Sequence, residues 1–141
     1  MNEREVLSVQ QKRYDELSYV DPVAGDPAHT ARLLVESLTL SRSVGGKAGK
    51  ALKERDWGTA GNLLATKPRR SADEDNDLGV ALANLALEEQ GKAWDESIDA
   101  FKQSQEAAAK DGRGTANDLR RARARQNQRS VEQAKQFAEE A

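Results

Sequence analysis

The chain has 141 residues, of which 37% are hydrophobic and 33% are charged, and its 22 basic residues nearly cancel its 24 acidic ones to leave a net charge of −2. Leu, Ile, Val and Phe together make up only about 18% of the sequence, a level at which disorder is common, but the balanced charge gives little self-repulsion to keep the chain open. The absence of cysteine excludes disulfide scaffolds, thiolate zinc sites, iron–sulfur clusters and cysteine nucleophiles, and an aromatic content of 4%, with Ala and Leu as the main apolar residues, favours helices over sheets.

The first third of the chain predicts helices separated by a proline-containing turn. A loose apolar stripe predicts a helix over residues 3–19, which ends before Asp21-Pro22 because the residue that precedes a proline avoids the α region. Asp26-Pro27 has the composition of a helix start, with an aspartate cap and a proline in the first turn. Over residues 28–42, apolar side chains then recur at helical spacing at Ala31, Leu34, Val35 and Leu38.

The middle of the chain predicts a short helical hairpin. Gly45-Gly46 interrupts the helical pattern, and a short helix is predicted over residues 47–55. A tight connection over residues 55–59 leads into a second helix, which carries Ala60 and which Pro68 closes.

The rest of the chain alternates clear helices with short joints. Residues 69–76 are polar and poor in apolar side chains, so they are predicted to form a disordered joint. Helices are predicted over residues 78–90, with Gly91 in the position of a glycine cap, and over residues 95–110. Thr115 is predicted to cap a weakly amphipathic final helix that reaches the C-terminus.

The segments around the two tryptophans are alike. Trp57 and Trp94 are 37 positions apart, which is within the period of helical-hairpin repeats. A small residue follows each tryptophan after three positions, and a large apolar residue follows after seven. The small residue lets two antiparallel helices cross closely, and the aromatic ring fills the wedge between them at the turn. These positions are Ala60 and Leu64 in the first segment and Ser97 and Phe101 in the second.

Over roughly residues 42–110 the chain resembles the tetratricopeptide repeat family, whose signature joins two antiparallel helices through a glycine–aromatic turn. Arg55 stands where that family has the turn glycine. The resemblance implies stacked hairpins, with the helices before residue 42 and after residue 114 as further layers or caps. It also implies that a peptide or partner protein binds on the concave side, where the candidate partner-binding residues are Asn76, Asn84, Glu88, Lys53 and Arg55.

No set of residues in the sequence points to catalysis, to a cofactor or to a metal. The loop over residues 45–51 contains Gly-Lys like a phosphate-binding loop, but Val44 and Ala51 stand where that loop needs a glycine and a magnesium-binding hydroxyl. His29 is the only histidine, and we interpret it as a surface residue near a helix start. The acidic run over residues 73–77 lacks the ligand order of an EF-hand, and we interpret it as an acidic lead-in to a helix.

The last predicted helix is rich in arginine and supports an alternative function. Arg121, Arg125 and Arg129 repeat every fourth residue and share one stripe, which can contact successive phosphates of a nucleic acid or another anionic surface. Asp118 and Glu132 lie three residues from the ends of the stripe and can pair with it instead. An enzyme is the third class of function, and the lone histidine and the missing cysteine disfavour it.

The sequence therefore predicts a single all-α domain of about six or seven helices, arranged as stacked antiparallel hairpins. Residues 1–43 are expected to form N-terminal helices, residues 44–110 two tetratricopeptide-like hairpins, and residues 111–141 a C-terminal capping helix. The predicted function is that of a non-catalytic adaptor or scaffold, which binds a peptide or partner protein or assembles with itself. No stretch approaches about 18 consecutive apolar residues, so a soluble protein is expected, in the cytoplasm or, as a mature domain, in the periplasm or outside the cell.

Overall fold

The computed structural model describes residues 20–40, 44–89 and 91–141, and it is all-helical over these ranges, with no strand among them. The prediction of an all-α chain is therefore confirmed for the described part, while the helix predicted over residues 3–19 lies outside it. None of the helices in the described ranges is long and apolar enough to cross a membrane. The helices are α1 (Pro27–Glu36), α2 (Gly46–Lys53), α3 (Trp57–Ala65), α4 (Ala72–Glu89), α5 (Ala93–Lys110) and α6 (Thr115–Glu140).

Aspartate caps set the starts of α1 and α3. The Asp26 carboxylate accepts a hydrogen bond from the backbone N–H of His29 at 3.0 Å, which confirms the predicted start. Asp56 accepts from the N–H of Thr59 at 3.3 Å in the same way. Each cap satisfies a backbone donor that the first turn of a helix leaves unpaired. At α6 the prediction of a side-chain cap is wrong, because Thr115 is already the first helical residue.

Helix α4 begins at Ala72, so the prediction of a disordered joint over residues 69–76 is wrong. The start of α4 is fixed by a reciprocal pair of hydrogen bonds between Ser71 and Glu74. The N–H of Glu74 donates to Ser71 Oγ at 3.2 Å, and the N–H of Ser71 donates to Glu74 Oε1 at 3.0 Å. This capping box closes the first turn without any contribution from apolar side chains, which is why the low apolar content misled the prediction.

Two of the three acidic residues in the first turn of α4, Asp73 and Asp75, are buried and form ion pairs with arginines. Asp73 accepts a hydrogen bond from Arg120 Nε at 3.1 Å and another from Arg123, and Arg70 Nε donates to Asp75 Oδ1 at 2.7 Å. Burial raises the pKa of Asp75 above its ordinary value, although the Arg70 guanidinium acts in the opposite direction. The charges that gave this segment the composition of a joint are therefore part of its packing.

The helices do not all pack in chain order. Helix α2 packs on α3, α3 packs on α4, and α5 lies between α4 and α6. Helix α1 instead lies against α6 and α4, although α2 is its neighbour in the sequence. This arrangement leaves a recess between α1 and the α2–α3 hairpin, and α4 forms one wall of it.

Helices α4 and α5 cross closely at Gly79. Ser97 Oγ donates a hydrogen bond to the carbonyl of Gly79 at 2.7 Å, and a Cβ atom on Gly79 would lie 2.6 Å from Cε1 of Phe101. Ser97 and Phe101 are both fully buried. They occupy the small and the large position that the sequence predicted for the second hairpin, and glycine at residue 79 leaves room for the phenylalanine ring.

Candidate functional site

A cleft of about 440 Å³ opens between α1, the α2–α3 hairpin and α4. A second recess of about 790 Å³ continues it toward the start of α2 and shares Leu38, Leu40, Leu52 and Lys53 with it. The lining combines apolar side chains with polar and charged ones, and the polar groups make up the larger part of the accessible wall; the volume is in the range of small binding clefts. The cleft is lined by Val35, Glu36, Leu38, Leu40, Leu52, Lys53, Arg55, Trp57, Val80 and Asn84.

Arg55 holds the turn between α2 and α3 in a left-handed conformation, with φ at 58°. The N–H of Arg55 donates to Leu52 O at 3.1 Å, and the N–H of Asp56 donates to Ala51 O at 2.9 Å. This pair of hydrogen bonds is a Schellman motif, in which the left-handed position is usually glycine. An arginine costs of the order of 1 kcal/mol there because its Cβ crowds the backbone. Strain of this kind is often retained at functional sites, and Arg55 lines the cleft.

The charged groups at the rim of the cleft have no ionic partner within the described ranges. Lys53 and Arg55 lie on the α2 side of the cleft, and Glu36 lies on the α1 side. None of these three exposed side chains forms an ion pair with another described residue. A bound segment with an acidic group on one side and a basic group on the other would complement this rim.

Three of the five residues predicted to bind a partner line this one cleft. They are Asn84, Lys53 and Arg55. The Asn84 side chain is positioned by its own helix, because its Nδ2 donates to the carbonyl of Val80 at 2.9 Å. Glu88 is exposed one turn further along α4 and is not among the residues that line the cleft.

The structure corrects the prediction for Asn76, whose side chain is fully buried and cannot contact a partner in this conformation. Its Nδ2 donates to the carbonyl of Thr39 at 3.4 Å and to Asp77 Oδ1 at 3.3 Å. Its Oδ1 accepts from Asn127 Nδ2 at 3.0 Å. The Asn76 side chain, which we predicted to bind a partner, is therefore bonded to Thr39 of the same chain instead.

Asn127 also forms hydrogen bonds with the backbone of Thr39. Its Oδ1 accepts from the N–H of Thr39 at 3.2 Å, and its Nδ2 donates to the Thr39 carbonyl at 3.3 Å. We call Asn76 and Asn127 the asparagine clamp. Sequence reasoning missed Thr39 and Asn127, which are 88 positions apart, because no local pattern signals a hydrogen bond over that separation.

The arginines of α6 divide into two groups. Arg120 and Arg123 face the start of α4 and pair with Asp73. Glu132, which the sequence analysis considered as a partner for the remaining arginines, accepts a hydrogen bond from Gln128 Nε2 at 2.8 Å. The arginines that form no ion pair with another described residue are the half-buried Arg121 and the exposed Arg125 and Arg129.

Among the described residues there is no group of three or more His, Cys, Asp or Glu side chains that could hold a metal ion. His29 is exposed near the start of α1. No protein family matches the chain, and neither a curated protein nor a solved structure matches it.

Proposed function

We propose that this chain is a non-catalytic interaction module, an adaptor or scaffold built from tetratricopeptide-like hairpins, and that it binds a segment of a partner protein in the cleft. The observation that carries the proposal is the position of Lys53, Arg55 and Asn84. All three are binding residues predicted from the sequence, and they line a single cleft that combines apolar and charged side chains.

The two tryptophan hairpins support the tetratricopeptide-like part of the proposal. Trp57 is the first residue of α3, and Trp94 is the second residue of α5. The small residues that follow them, Ala60 and Ser97, are both fully buried. Each hairpin therefore places an aromatic ring beside its turn and a small residue inside its packing, as the repeat requires.

The cleft offers a partner both apolar area and charge. Leu38, Leu52 and Val80 are nearly inaccessible to solvent, so they form the packed floor of the cleft and add little area that a bound segment could bury. Leu40 is the most exposed apolar side chain of the cleft and is available for burial. A few such anchors would supply most of the affinity, and the rim charges would fix the orientation of the bound segment.

The test compares two variants, Leu40→Asp and Val23→Asp, in which the replaced apolar side chains are exposed to a similar extent. Leu40 is 43% exposed and lines the cleft, whereas Val23 is 41% exposed and lies outside it. Peptides are selected from a random library on the wild-type chain, and their affinities are measured by fluorescence anisotropy. We expect Leu40→Asp to weaken the selected peptides about tenfold or more, because it places a charge against an apolar contact, and Val23→Asp to leave them unchanged. Equal affinities for all three proteins would contradict binding in the cleft.

A second candidate function is the binding of a nucleic acid or another polyanion by α6. The observation that favours it is that Arg121, Arg125 and Arg129 form no ion pair with the described residues, whereas Arg120 and Arg123 on the same helix do. Titration with double-stranded DNA at several salt concentrations tests this function. If the stripe binds phosphates, replacing these three arginines by glutamine lowers the slope of log affinity against log salt by about three. An affinity that does not depend on salt would exclude it.

A further inference from the structure

Another surface lies under the chain's own N-terminal arm, which we define as residues 27–40 and which also lines the cleft through Val35, Glu36, Leu38 and Leu40. The helical part of the arm, α1, lies against α6 and α4. Its apolar side chains join one buried cluster with Val80, Ala83, Val131 and Ala134. The arm contributes Ala31, Leu34, Val35 and Leu38, which are 1%, 2%, 2% and 8% exposed. This spacing is that of an amphipathic helix docked in the groove of a partner protein.

The hydrogen bonds that hold the arm on the following helices involve only backbone atoms of the arm. Within the described ranges, each hydrogen bond between the arm and the helices that follow it involves the N–H or the carbonyl of Thr39 and the asparagine clamp. Among the residues that the structure describes, no ion pair joins the arm to these helices. A clamp that binds backbone atoms accepts any segment that brings the same apolar spacing and a free backbone N–H and carbonyl to the same place.

Toward the C-terminus the arm is joined to the rest of the chain only through residues 41–45, and residues 20–26 precede it. Because α1 packs on α6 and α4 and not on α2, the arm can be supplied by another copy without interrupting any helix. A surface that fits this arm within one chain fits the same arm from a second chain, which is the basis of domain swapping.

We propose that the surface of α4 and α6 under the arm is an interaction surface, and that the arm of a second copy of this chain fits it to give an arm-exchanged dimer. In this dimer the asparagine clamp of one copy holds Thr39 of the other. A connection as short as residues 41–45 gives the chain's own arm an effective concentration of the order of millimolar. The exchanged form is therefore favoured at high protein concentration, or when the connection is too short for the arm to reach the surface of its own chain.

The test shortens that connection. Deleting residues 41–43 joins Leu40 directly to Val44, and we expect the arm to leave its own surface and to occupy that of a second copy. Light scattering should then give twice the mass of the monomer, whereas an insertion of equal length in Gly and Ser should stay monomeric. In the deletion background, Asn127→Ala should weaken the dimer about tenfold because it leaves buried groups unpaired. Asn117→Ala is the control, since Asn117 lies on the same helix, donates to Gly112 O and accepts from Arg120 Nη1, and neither partner belongs to the arm.

A second measurement applies if the deletion protein does not fold. A fluorescein-labelled peptide of residues 27–40 is titrated into the full-length Leu34→Asp variant, whose own arm is weakened. We expect saturable binding that Asn127→Ala reduces about tenfold. The proposal is overturned by a deletion protein that is folded and monomeric, or by a dimer that Asn127→Ala leaves unchanged. It is equally overturned if the deletion protein is unfolded and the peptide does not bind up to about 1 mM.

Discussion

The two tryptophan hairpins share a turn but differ in what the turn contains. Between α2 and α3 the left-handed residue is Arg55, with φ at 58°, and Trp57 is half-buried beside the cleft. Between α4 and α5 the positive φ of 98° belongs to Gly91, and Trp94 is only 4% exposed. The second hairpin has a glycine, which adopts a positive φ without strain, and a buried tryptophan ring. The first hairpin has a strained arginine and an accessible tryptophan ring at the edge of a cleft.

This difference shows that a local motif does not determine whether its residues serve the core or a binding surface. The tryptophans occupy the same position of the repeat, but their neighbours decide their burial. Trp94 packs into the larger apolar cluster, whereas Trp57 lies at the edge of both clusters. If this interpretation is correct, matched changes in the two hairpins should have unequal effects on stability and on binding.

The largest effect is expected from truncating the tryptophans. Trp94→Ala should lower the free energy of unfolding by about 3–5 kcal/mol, because it removes a nearly buried ring and leaves a cavity. Trp57→Ala should cost roughly half as much, because part of the Trp57 ring is already in contact with water. Urea denaturation followed by circular dichroism measures both losses. Equal losses would show that the two hairpins contribute equally to the core.

The next largest effect is expected from replacing two helical glycines by alanine. Gly79→Ala should destabilise the fold by about 1–3 kcal/mol, because the new Cβ would lie 2.6 Å from Cε1 of Phe101. Gly61→Ala in α3 places its Cβ at an ordinary 3.6 Å from Leu85 Cδ1. This variant should gain about 0.5–1 kcal/mol from the better helix propensity of alanine. Thermal unfolding of both variants distinguishes the tight crossing from the looser one, and a stable Gly79→Ala protein would mean that the ring of Phe101 can move aside.

The exchange of residues between the two turns separates stability from binding. Arg55→Gly should raise the free energy of unfolding by about 0.5–1 kcal/mol, because glycine adopts the left-handed conformation without strain. The same variant should weaken peptides selected on the wild-type cleft, since it removes a rim charge. Gly91→Ala should lower the stability by about 1 kcal/mol and leave the peptides unaffected. An Arg55→Gly protein that is more stable and binds equally well would remove Arg55 from the binding site.

Sequence reasoning succeeded where the determinant is local. Asp26-Pro27 marks the start of α1 within one turn, and the spacing of Ser97 and Phe101 after Trp94 marks the packed face of α5. It failed where the determinant is distant in sequence. The burial of Asp73 depends on arginines about fifty positions away, and the burial of Asn76 depends on Thr39 and Asn127.

Only part of the candidate cleft was predicted, because some of its residues are brought together by local structure and others by contacts that are distant in sequence. Lys53 and Arg55 end one helix, so their proximity follows from the hairpin alone. Leu38 and Leu40 reach the cleft only because α1 lies on α6 and α4, an arrangement that departs from chain order. Polar and charged side chains that are buried against each other have the composition of a surface, and composition alone cannot distinguish the two.

The smallest effect concerns how the two hairpins begin. Helix α2 has Gly45 at its N-cap position and no side-chain cap, whereas α4 starts at the Ser71–Glu74 capping box, and Lys67 donates a hydrogen bond to Glu74. Burial alone would raise the pKa of Glu74, but the hydrogen bonds from Lys67 and Ser71 outweigh it and hold the pKa below its ordinary value of 4.5. The charged form therefore stabilises the fold above that value, and this contribution is lost as the pH falls through the pKa of the folded state.

Glu74→Gln isolates this charge, because glutamine can keep the hydrogen bond to the N–H of Ser71. At pH 7 the variant should lose about 0.2–1 kcal/mol of stability, and below the folded-state pKa of Glu74 it should match the wild type. Asp75, one residue further on, has a raised pKa. Its protonation therefore stabilises the fold at low pH, and that contribution is lost as the pH rises through its folded-state pKa. The difference in free energy of unfolding is measured across the acid range between Asp75→Asn and the Asp75→Asn, Glu74→Gln double variant, because the Glu74 carboxylate itself contributes to the raised pKa of Asp75. A difference that stays constant with pH would mean that Glu74 acts through its hydrogen bonds and not through its charge.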